Sequence, residues 1–146
     1  IYELTNLLCL RCDDHILTMT GDRQSLVKSQ DKIFASVLVD GVIYVATDRG
    51  VRMMAGARLV PVMNGEQLEG RRINAMFKYG QCMMVTTATD GLFYYDGRTV
   101  TPFPTQADAL LKEGVICCAA VRGDVVALGT IQHGLIILKM KNIKNV

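Results

Sequence analysis

The sequence predicts an all-β fold, a partial β-propeller of about three to three and a half blades, each a four-stranded antiparallel sheet. Three observations lead to this prediction. A pattern of apolar strands recurs every 41 to 43 residues, which is the period of a four-stranded propeller blade. A turn containing glycine separates the strands at equivalent places in each copy. Helix signals are scarce along the 146 residues.

The repeat is carried by three segments of the chain. Each has an apolar strand, a short turn, a second apolar strand that ends in small residues and threonine, and then a glycine before a third strand. The segments are Lys32–Val62, Arg72–Pro104 and Gly114–Lys139. The anchoring glycines are Gly50, Gly91 and Gly134, which are 41 and 43 residues apart.

The repeat divides the chain into four parts of one propeller fragment. The N-terminal part fits less well, because it reads as two or three strands around a turn at Asp13-Asp14 with no good outer strand. The parts are residues 1–31, a partial or irregular blade; 32–71 and 72–113, two blades; and 114–146, a blade lacking its outer strand.

The turns and edges of each blade are also visible in the sequence. Asp40-Gly41 and Gly123-Asp124 are hairpin dipeptides, since glycine tolerates the positive φ that a tight hairpin requires. The strands of Val115–Leu138 are nearly continuous apolar runs, which is typical of strands covered on both faces. The run Arg98–Pro104 alternates and contains prolines, so it is predicted to be an exposed edge strand. A short helix is predicted at Thr105–Gly114, capped by its first and last residues.

Five cysteines form no regular framework. Cys9 and Cys12 have the C-x-x-C spacing of a redox motif or half of a zinc site, but a zinc site needs a second pair and the sequence has none. Cys117 and Cys118 are adjacent in an apolar strand pattern, so we expect their side chains on opposite faces as small apolar fillers. Together with Cys82, all five are predicted to be structural, which favours a reducing compartment.

Composition and charge exclude several classes of protein. Half of the residues are apolar, and the formal net charge is +2 with no basic run, so we expect neither disorder nor nucleic-acid binding. No apolar stretch reaches the roughly 18 to 20 residues that span a bilayer, so no direct membrane insertion is expected. Because the chain starts at Ile1, it is interpreted as a mature or excised fragment.

Two stretches resemble a known repeat family. VALGTIQHGLIIL at 126–138 and ATDGLFYYDGRTVTPF at 88–103 are similar to the two-component regulator propeller repeat. The resemblance covers about Lys32–Lys139, and Gly129-Thr130 is its best match. The chain departs from the pattern at Ala46-Thr47 and Ala88-Thr89, where Gly-Thr is usual, and it has no tryptophan.

This resemblance implies a biological setting. The family fills the periplasmic sensor regions of gut-bacterial hybrid two-component histidine kinases, which respond to polysaccharide breakdown products. It implies a periplasmic location, an oligosaccharide ligand and a histidine kinase parent. A propeller of this family has about seven blades, so the remaining blades of the parent would be further partners. Cysteine usage points instead to the cytoplasm, and we give the family resemblance more weight.

Candidate ligand-binding residues lie where the turn between the second and third strands meets the connection between blades. Polar groups converging there suit the hydroxyls of a sugar or the carboxylate of an acidic sugar. The alternative interpretation is that each is a solvated residue chosen for turn geometry. The candidates are Asp48, Arg49, Arg71, Arg72, Asp90, Gln132 and His133, with Asn64 and Glu66 in the same connections.

No catalytic or metal-binding pattern accompanies these residues. His15 and His133 are the two histidines, and neither has a partner at a metal-ligand spacing. Phosphate-loop, dinucleotide and serine-hydrolase motifs are absent. We therefore expect no catalytic residue, metal or cofactor in this chain.

Three functions remain open. The first is a ligand-sensing and signal-coupling segment of a membrane-bound hybrid two-component regulator that responds to carbohydrate. The second is a protein-interaction scaffold of another propeller family. The third is a propeller enzyme such as a polysaccharide or lactone lyase, which needs a cluster of catalytic groups that this part of the chain does not supply.

An incomplete propeller also leaves two terminal blades with one uncovered apolar face each. Apolar patches of more than about 400 Å² usually mark contacts. We therefore expect the chain to self-associate through these faces.

Overall fold

The computed structural model describes residues 2–4 and 7–140, with side chains described from residue 8. Within this part of the chain, fifteen strands form four antiparallel sheets, and each sheet is a meander of consecutive strands. The chain divides into two compact units, residues 1–70 and 71–146. Each unit holds two of the sheets.

The first unit contains the first and second sheets. Their strands are β1 (Tyr2–Leu4), β2 (Leu7–Arg11), β3 (His15–Thr20) and β4 (Arg23–Lys28), then β5 (Ile33–Val39), β6 (Val42–Thr47), β7 (Gly50–Ala55) and β8 (Arg58–Pro61). A short 3-10 helix, Gly65–Leu68, follows. The two sheets bury one apolar cluster, which contains Cys9, Ile16, Val27, Ile33, Ile43 and Val45.

The second unit contains the third and fourth sheets and one helix. Its elements are β9 (Ile73–Tyr79), β10 (Cys82–Thr87), β11 (Leu92–Tyr95) and β12 (Val100–Phe103), helix α1 (Asp108–Glu113), and β13 (Ile116–Arg122), β14 (Val125–Thr130) and β15 (Gly134–Lys139). The core of this unit joins both sheets and the helix through Phe77, Met84, Leu92, Leu111, Ile116, Val126 and Leu128.

Several local predictions are confirmed. Asp40 and Gly41 both have positive φ, 49° and 79°, and connect β5 to β6 as a two-residue hairpin. Strand β12 is the edge of the third sheet. Helix α1 is shorter than predicted and begins at Asp108, so Ala107 and not Thr105 is its N-cap residue. The carboxylate of Asp108 accepts hydrogen bonds from the backbone N–H and hydroxyl of Thr105. Gly114 ends the helix, as expected.

The N-terminal part is more regular than the sequence indicated. It forms four paired strands rather than two or three, with Asp13 and Asp14 in the connection between β2 and β3. The fourth strand was missed because β4, RQSLVK, buries one side chain, Val27, and has neither a glycine nor a proline to mark it.

The fourth sheet is covered on one face, as expected for a terminal blade of an incomplete propeller. One face packs in the core of the second unit through Val126 and Leu128. The other face is open, and Leu135 and Ile137 are 66% and 56% exposed. The apolar run is therefore explained by one covered face and one apolar face that no described residue of the second unit covers.

The prediction that Cys117 and Cys118 lie on opposite faces of the sheet as small apolar fillers is wrong. The register of β13 shifts between Ile116 and Cys118, so Cys117 is the extra residue of a β-bulge. The two sulfurs lie 3.5 Å (Cys117) and 2.6 Å (Cys118) from the position that a β-carbon on Gly129 would occupy. Both thiols therefore lie on the open face of the sheet and are exposed rather than buried.

None of the helices in the described part of the chain is long and apolar enough to span a membrane.

Candidate functional site

A threonine holds the turn between the second and third strands in three of the sheets. The hydroxyls of Thr47, Thr87 and Thr130 donate to the carbonyl oxygens of Gly50, Gly91 and Gly134, over 3.1, 2.9 and 3.0 Å. All three threonines are buried. The repeated contact also corrects the sequence alignment, since Thr86-Thr87, not Ala88-Thr89, is the equivalent of Gly129-Thr130.

The same hydroxyls accept a backbone hydrogen bond from three predicted site residues. Arg49, Asp90 and His133 donate their N–H groups to these threonines over 3.2, 3.0 and 3.0 Å. Because both roles of the hydroxyl are used, each turn is fixed at its base. The side chains of these three residues are consequently presented from equivalent, rigid positions on their turns.

In the first unit, the charged turn residues are engaged locally. Arg49 lies 3.1 Å and Arg52 3.3 Å from the carboxylate of Asp31, which is only 12% exposed. Asp48 donates its N–H to Lys32 and accepts from Gly70 through its carbonyl oxygen. This ion-pair group was not predicted, since Asp31 lies before the repeat and carries no motif.

The second unit contains a cleft of about 550 Å³. The turn between β10 and β11, the end of β12 and one side of α1 form its walls, and Arg71 enters from the segment before β9. The residues that line it are Arg71, Thr89, Asp90, Gly91, Leu92, Phe93, Pro102, Phe103, Pro104, Asp108, Leu111 and Lys112. A volume of this size accommodates a small ligand.

Arg71 and Asp90 are the predicted site residues that the cleft brings together. The Nε of Arg71 lies 3.7 Å from an oxygen of Asp90. Its guanidinium also lies over the ring of Phe93, 5.3 Å from the ring centroid, a favourable cation–π geometry. The cleft thus combines a positioned cation, a carboxylate and an aromatic face.

Gln132 and His133 make contacts elsewhere in the second unit. The side-chain oxygen of Gln132 accepts a hydrogen bond from the N–H of Val115 over 2.7 Å. His133 lies 4.0 Å from the carboxylate of Glu113 and packs where a side chain on Gly114 would stand. These contacts join the β14–β15 turn to the end of α1, and neither residue is among those that line the cleft.

Arg72 is also not among the residues that line the cleft. Its Nε donates to the side-chain oxygen of Asn74 over 3.2 Å, and Asn74 donates in turn to the carbonyl oxygen of Ile116. Asn64 and Glu66 lie at the start of the 3-10 helix Gly65–Leu68. Contact with a ligand stays a prediction for all of the candidate residues.

Sequence reasoning missed the apolar walls of the cleft. Phe93 and Phe103 were assigned to strands, and Pro102 and Pro104 to an edge, without a role at the site. Lys112 lay within the predicted helix Thr105–Gly114 and was given no role at the site. The available signal was the run LFYYDGRTVTPFP, which concentrates aromatics and prolines in one blade only.

No three histidine, cysteine, aspartate or glutamate side chains within residues 8–140 are grouped so that they could hold a metal ion.

No family model matches the sequence, and no curated protein matches it either. Solved structures are similar in fold. The chain aligns with the computationally designed Ika4 protein at TM-score 0.64 and 12% identity, over 93% of this chain and 86% of that one. It aligns with YCF48 from Cyanidioschyzon merolae at TM-score 0.60 and 12% identity, over 88% and 45%. The computationally designed Ika8 protein gives TM-score 0.53 and 10% identity, over 90% and 45%.

These neighbours have β-propeller-type folds. The chain folds as part of a β-propeller. Its four antiparallel sheets are the blades, and the predicted fold class is confirmed. This propeller segment spans less than half of the YCF48 and Ika8 chains. Identities of 10 to 12% show the fold alone, so the two-component context of the repeat stays a prediction.

Proposed function

We propose that this propeller segment binds a carbohydrate in the cleft of its second unit and belongs to the sensor region of a membrane-bound two-component regulator. The observation that carries the binding proposal is the grouping of Arg71, Asp90 and Phe93 around one 550 Å³ cleft. The regulator context is supported by the sequence resemblance of residues 32–139.

The chemistry of the cleft suits a sugar ring. Phe103, Pro102 and Pro104 provide flat apolar surfaces, on which the C–H face of a pyranose packs. Phe93 is 8% exposed and supports the guanidinium of Arg71 from below. Asp90 accepts hydrogen bonds from hydroxyl groups, and Arg71 donates two or more in a fixed fork. A few directional polar groups in an otherwise apolar cleft are typical of small-ligand sites.

The charges of the cleft favour an acidic sugar over a neutral one. Arg71 and Lys112 supply two cations, and the guanidinium pairs well with a carboxylate in bidentate geometry. Asp108 keeps its negative charge, but one of its oxygens accepts two hydrogen bonds from Thr105, so Asp90 is the carboxylate that an acidic ligand would replace as the partner of Arg71. We therefore expect a uronate-containing oligosaccharide to bind more tightly than its uncharged counterpart.

A binding event in this cleft would act on two elements at once. The turn carrying Asp90 and the helix carrying Lys112 lie on different sides of the ligand and connect to different blades. A ligand that binds more tightly when these elements approach shifts the equilibrium toward that arrangement. In this proposal the segment senses and couples, the location is periplasmic, and catalysis by phosphate transfer takes place elsewhere in the parent.

The test is calorimetric titration of the chain with an oligogalacturonate and with a neutral oligosaccharide of equal length. Arg71→Ala should weaken oligogalacturonate binding at least ten-fold, since a charge-assisted hydrogen bond is worth about 1.5 to 3 kcal/mol. Arg72→Ala is the matched control, because it removes the adjacent arginine, which does not line the cleft, and it should leave the affinity unchanged. Equal loss in both variants, or no binding of either sugar, would contradict the proposal.

A protein-interaction scaffold is the second candidate, and one observation favours it. The open face of the fourth blade carries several exposed apolar side chains, among them Leu135 and Ile137. An exposed apolar patch of this kind is typical of a contact surface. Under this alternative the cleft variants leave function intact and substitutions on the open face abolish it.

A further inference from the structure

The first and fourth blades each carry an apolar face that no described residue of their own unit covers. The face of the fourth blade, here the C-terminal open face, consists of Cys118, Ala120, Val125, Ala127, Leu135 and Ile137, which the strand register places on one side. The face of the first blade, here the N-terminal open face, consists of Leu8, Leu10, Leu17, Met19 and Leu26.

The third blade shows what the C-terminal open face is built to contact. Leu92 and Leu135 each follow the anchoring glycine of their blade, so they are equivalent positions of the repeat. In the third blade Leu92 packs in the core that the fourth blade completes and is 3% exposed, whereas Leu135 is 66% exposed. The C-terminal open face is therefore the side of a blade that receives a following blade.

The N-terminal open face lies on the opposite side of its blade from the C-terminal open face. In the fourth blade, Val126 and Leu128 of the second strand β14 pack toward the third blade. In the first blade the second strand is β2, and Cys9 points into the shared core of the first unit. Leu8 and Leu10 alternate with Cys9 and point to the other side. They therefore lie on the side that a blade presents to a preceding blade.

We propose that two copies of this chain associate head to tail, with the N-terminal open face of one copy packed on the C-terminal open face of the other. One face is built to receive a following blade and the other to meet a preceding one, so each chain carries both halves of the contact. Two of the three structural matches are consistent with a pair of copies, since the chain corresponds to 45% of the Ika8 and YCF48 chains, whereas it corresponds to 86% of the Ika4 chain. Two copies would supply about as many blades as one such chain.

A contact of this kind is heterologous, which separates it from a symmetric pairing of like faces. A substitution on either face should abolish it. A face-to-face dimer through the fourth blade would, in contrast, tolerate substitutions in the first blade. The two arrangements are therefore distinguished by which single variants still associate.

The experiment is sedimentation velocity on the full chain from micromolar to near-millimolar concentration, with the variants Leu135→Asp and Leu26→Asp. Both positions are exposed, 66% and 47%, so the folded chain should persist, which far-UV circular dichroism checks. The wild type should sediment with at least twice the 16.1 kDa mass of one chain, since a head-to-tail pair that does not close can add further copies, and each variant should sediment as a monomer. Mixing the two variants should restore association, because one intact face of each kind remains.

Ile131→Asp is the matched control. Ile131 is an equally exposed apolar residue, 69%, but it lies in the β14–β15 turn and not on either face, so this variant should associate like the wild type. A monomeric wild type at every concentration would overturn the proposal. So would association of Leu26→Asp alone, which would show a symmetric contact, or equal dissociation by Ile131→Asp.

Discussion

Replacing Gly50 by alanine should destabilise the chain far more than the same replacement at the equivalent Gly91 or Gly134. Gly50 and Gly134 begin the third strand of their blades and Gly91 directly precedes it, and all three have positive φ, of 90°, 81° and 65°. An L-residue in that conformation costs about 1–2 kcal/mol. This conformational cost is common to the three positions, so any difference between them must come from the surroundings.

The surroundings differ sharply. A β-carbon at Gly50 would lie 2.1 Å from the carbonyl oxygen of Gly65, whereas nothing lies within 4 Å of one at Gly91 or Gly134. The 3-10 helix would have to move by about 1 Å to restore van der Waals contact, and it carries the fully buried Leu68. Overpacking of this kind costs about 1–3 kcal/mol. Gly50→Ala should therefore cost about 2–5 kcal/mol, and the other two variants about 1–2 kcal/mol.

Urea denaturation followed by far-UV circular dichroism measures these differences, since the chain has no tryptophan for fluorescence. The comparison is internal, because the same substitution is made at three equivalent positions. Equal losses of unfolding free energy at all three positions would refute the reasoning, since they would show that the approach of the 3-10 helix to Gly50 has no energetic weight.

Three further predictions concern single side chains. Thr87→Val should lower the unfolding free energy by about 1–3 kcal/mol, because the buried hydroxyl accepts from the N–H of Asp90 and donates to a carbonyl. Thr87→Ser keeps the hydroxyl, so it should retain most of the wild-type unfolding free energy in the same urea assay. Asp96→Ala should cost about 1 kcal/mol in thermal unfolding, since its carboxylate accepts from two turn N–H groups and a hydroxyl. Those hydrogen bonds hold the pKa of Asp96 below its ordinary value. The stabilisation that Asp96 provides is therefore present above the pKa of the unfolded chain and is lost as the pH falls through the lower pKa of the folded chain. An effect of Asp96→Ala that persists in strong acid would contradict this. A hydrogen bond with Cys82, together with burial, raises the pKa of Tyr94 to about 12. Alkaline absorbance titration should therefore show a late-ionising tyrosine that Tyr94→Phe removes. The stabilisation that Tyr94 provides should be lost as pH rises from about 10 toward 12.

The fold was predictable because its signals are local and repeated. The spacing of Gly50, Gly91 and Gly134 gives the period of the blade, and the prolines of β12 mark an edge strand. Both follow from backbone rules that hold wherever the residue occurs. The exact equivalence of the threonines was not predictable in the same way, because TTAT at 86–89 offers two threonines and only the hydrogen bond to Gly91 selects Thr87.

Residues whose environment depends on the ladder register were harder to predict. Strict alternation places Cys117 and Cys118 on opposite faces, but one extra residue in β13 brings both sulfurs next to Gly129. A bulge has no reliable sequence signal, and it changes the facing of only the residues around it. The strand was therefore correctly located while the exposure of its cysteines was not.

The positions of the candidate residues on their turns were predictable from the sequence, but the surroundings that form the cleft were not. The turns are alike in all three repeats, so sequence reasoning placed Arg49, Asp90 and His133 at equivalent positions and treated them as equal candidates. What distinguishes Asp90 is its surroundings: Phe93 follows it on β11, and helix α1 fills the next connection. The shared threonine contact fixes the backbone of each turn at the same place, so the side chains can differ without cost to the fold. Binding specificity in this chain should therefore reside in what the neighbouring connection adds to a common turn. The third blade has both an aromatic third strand and a helical connection, and its turn forms the cleft.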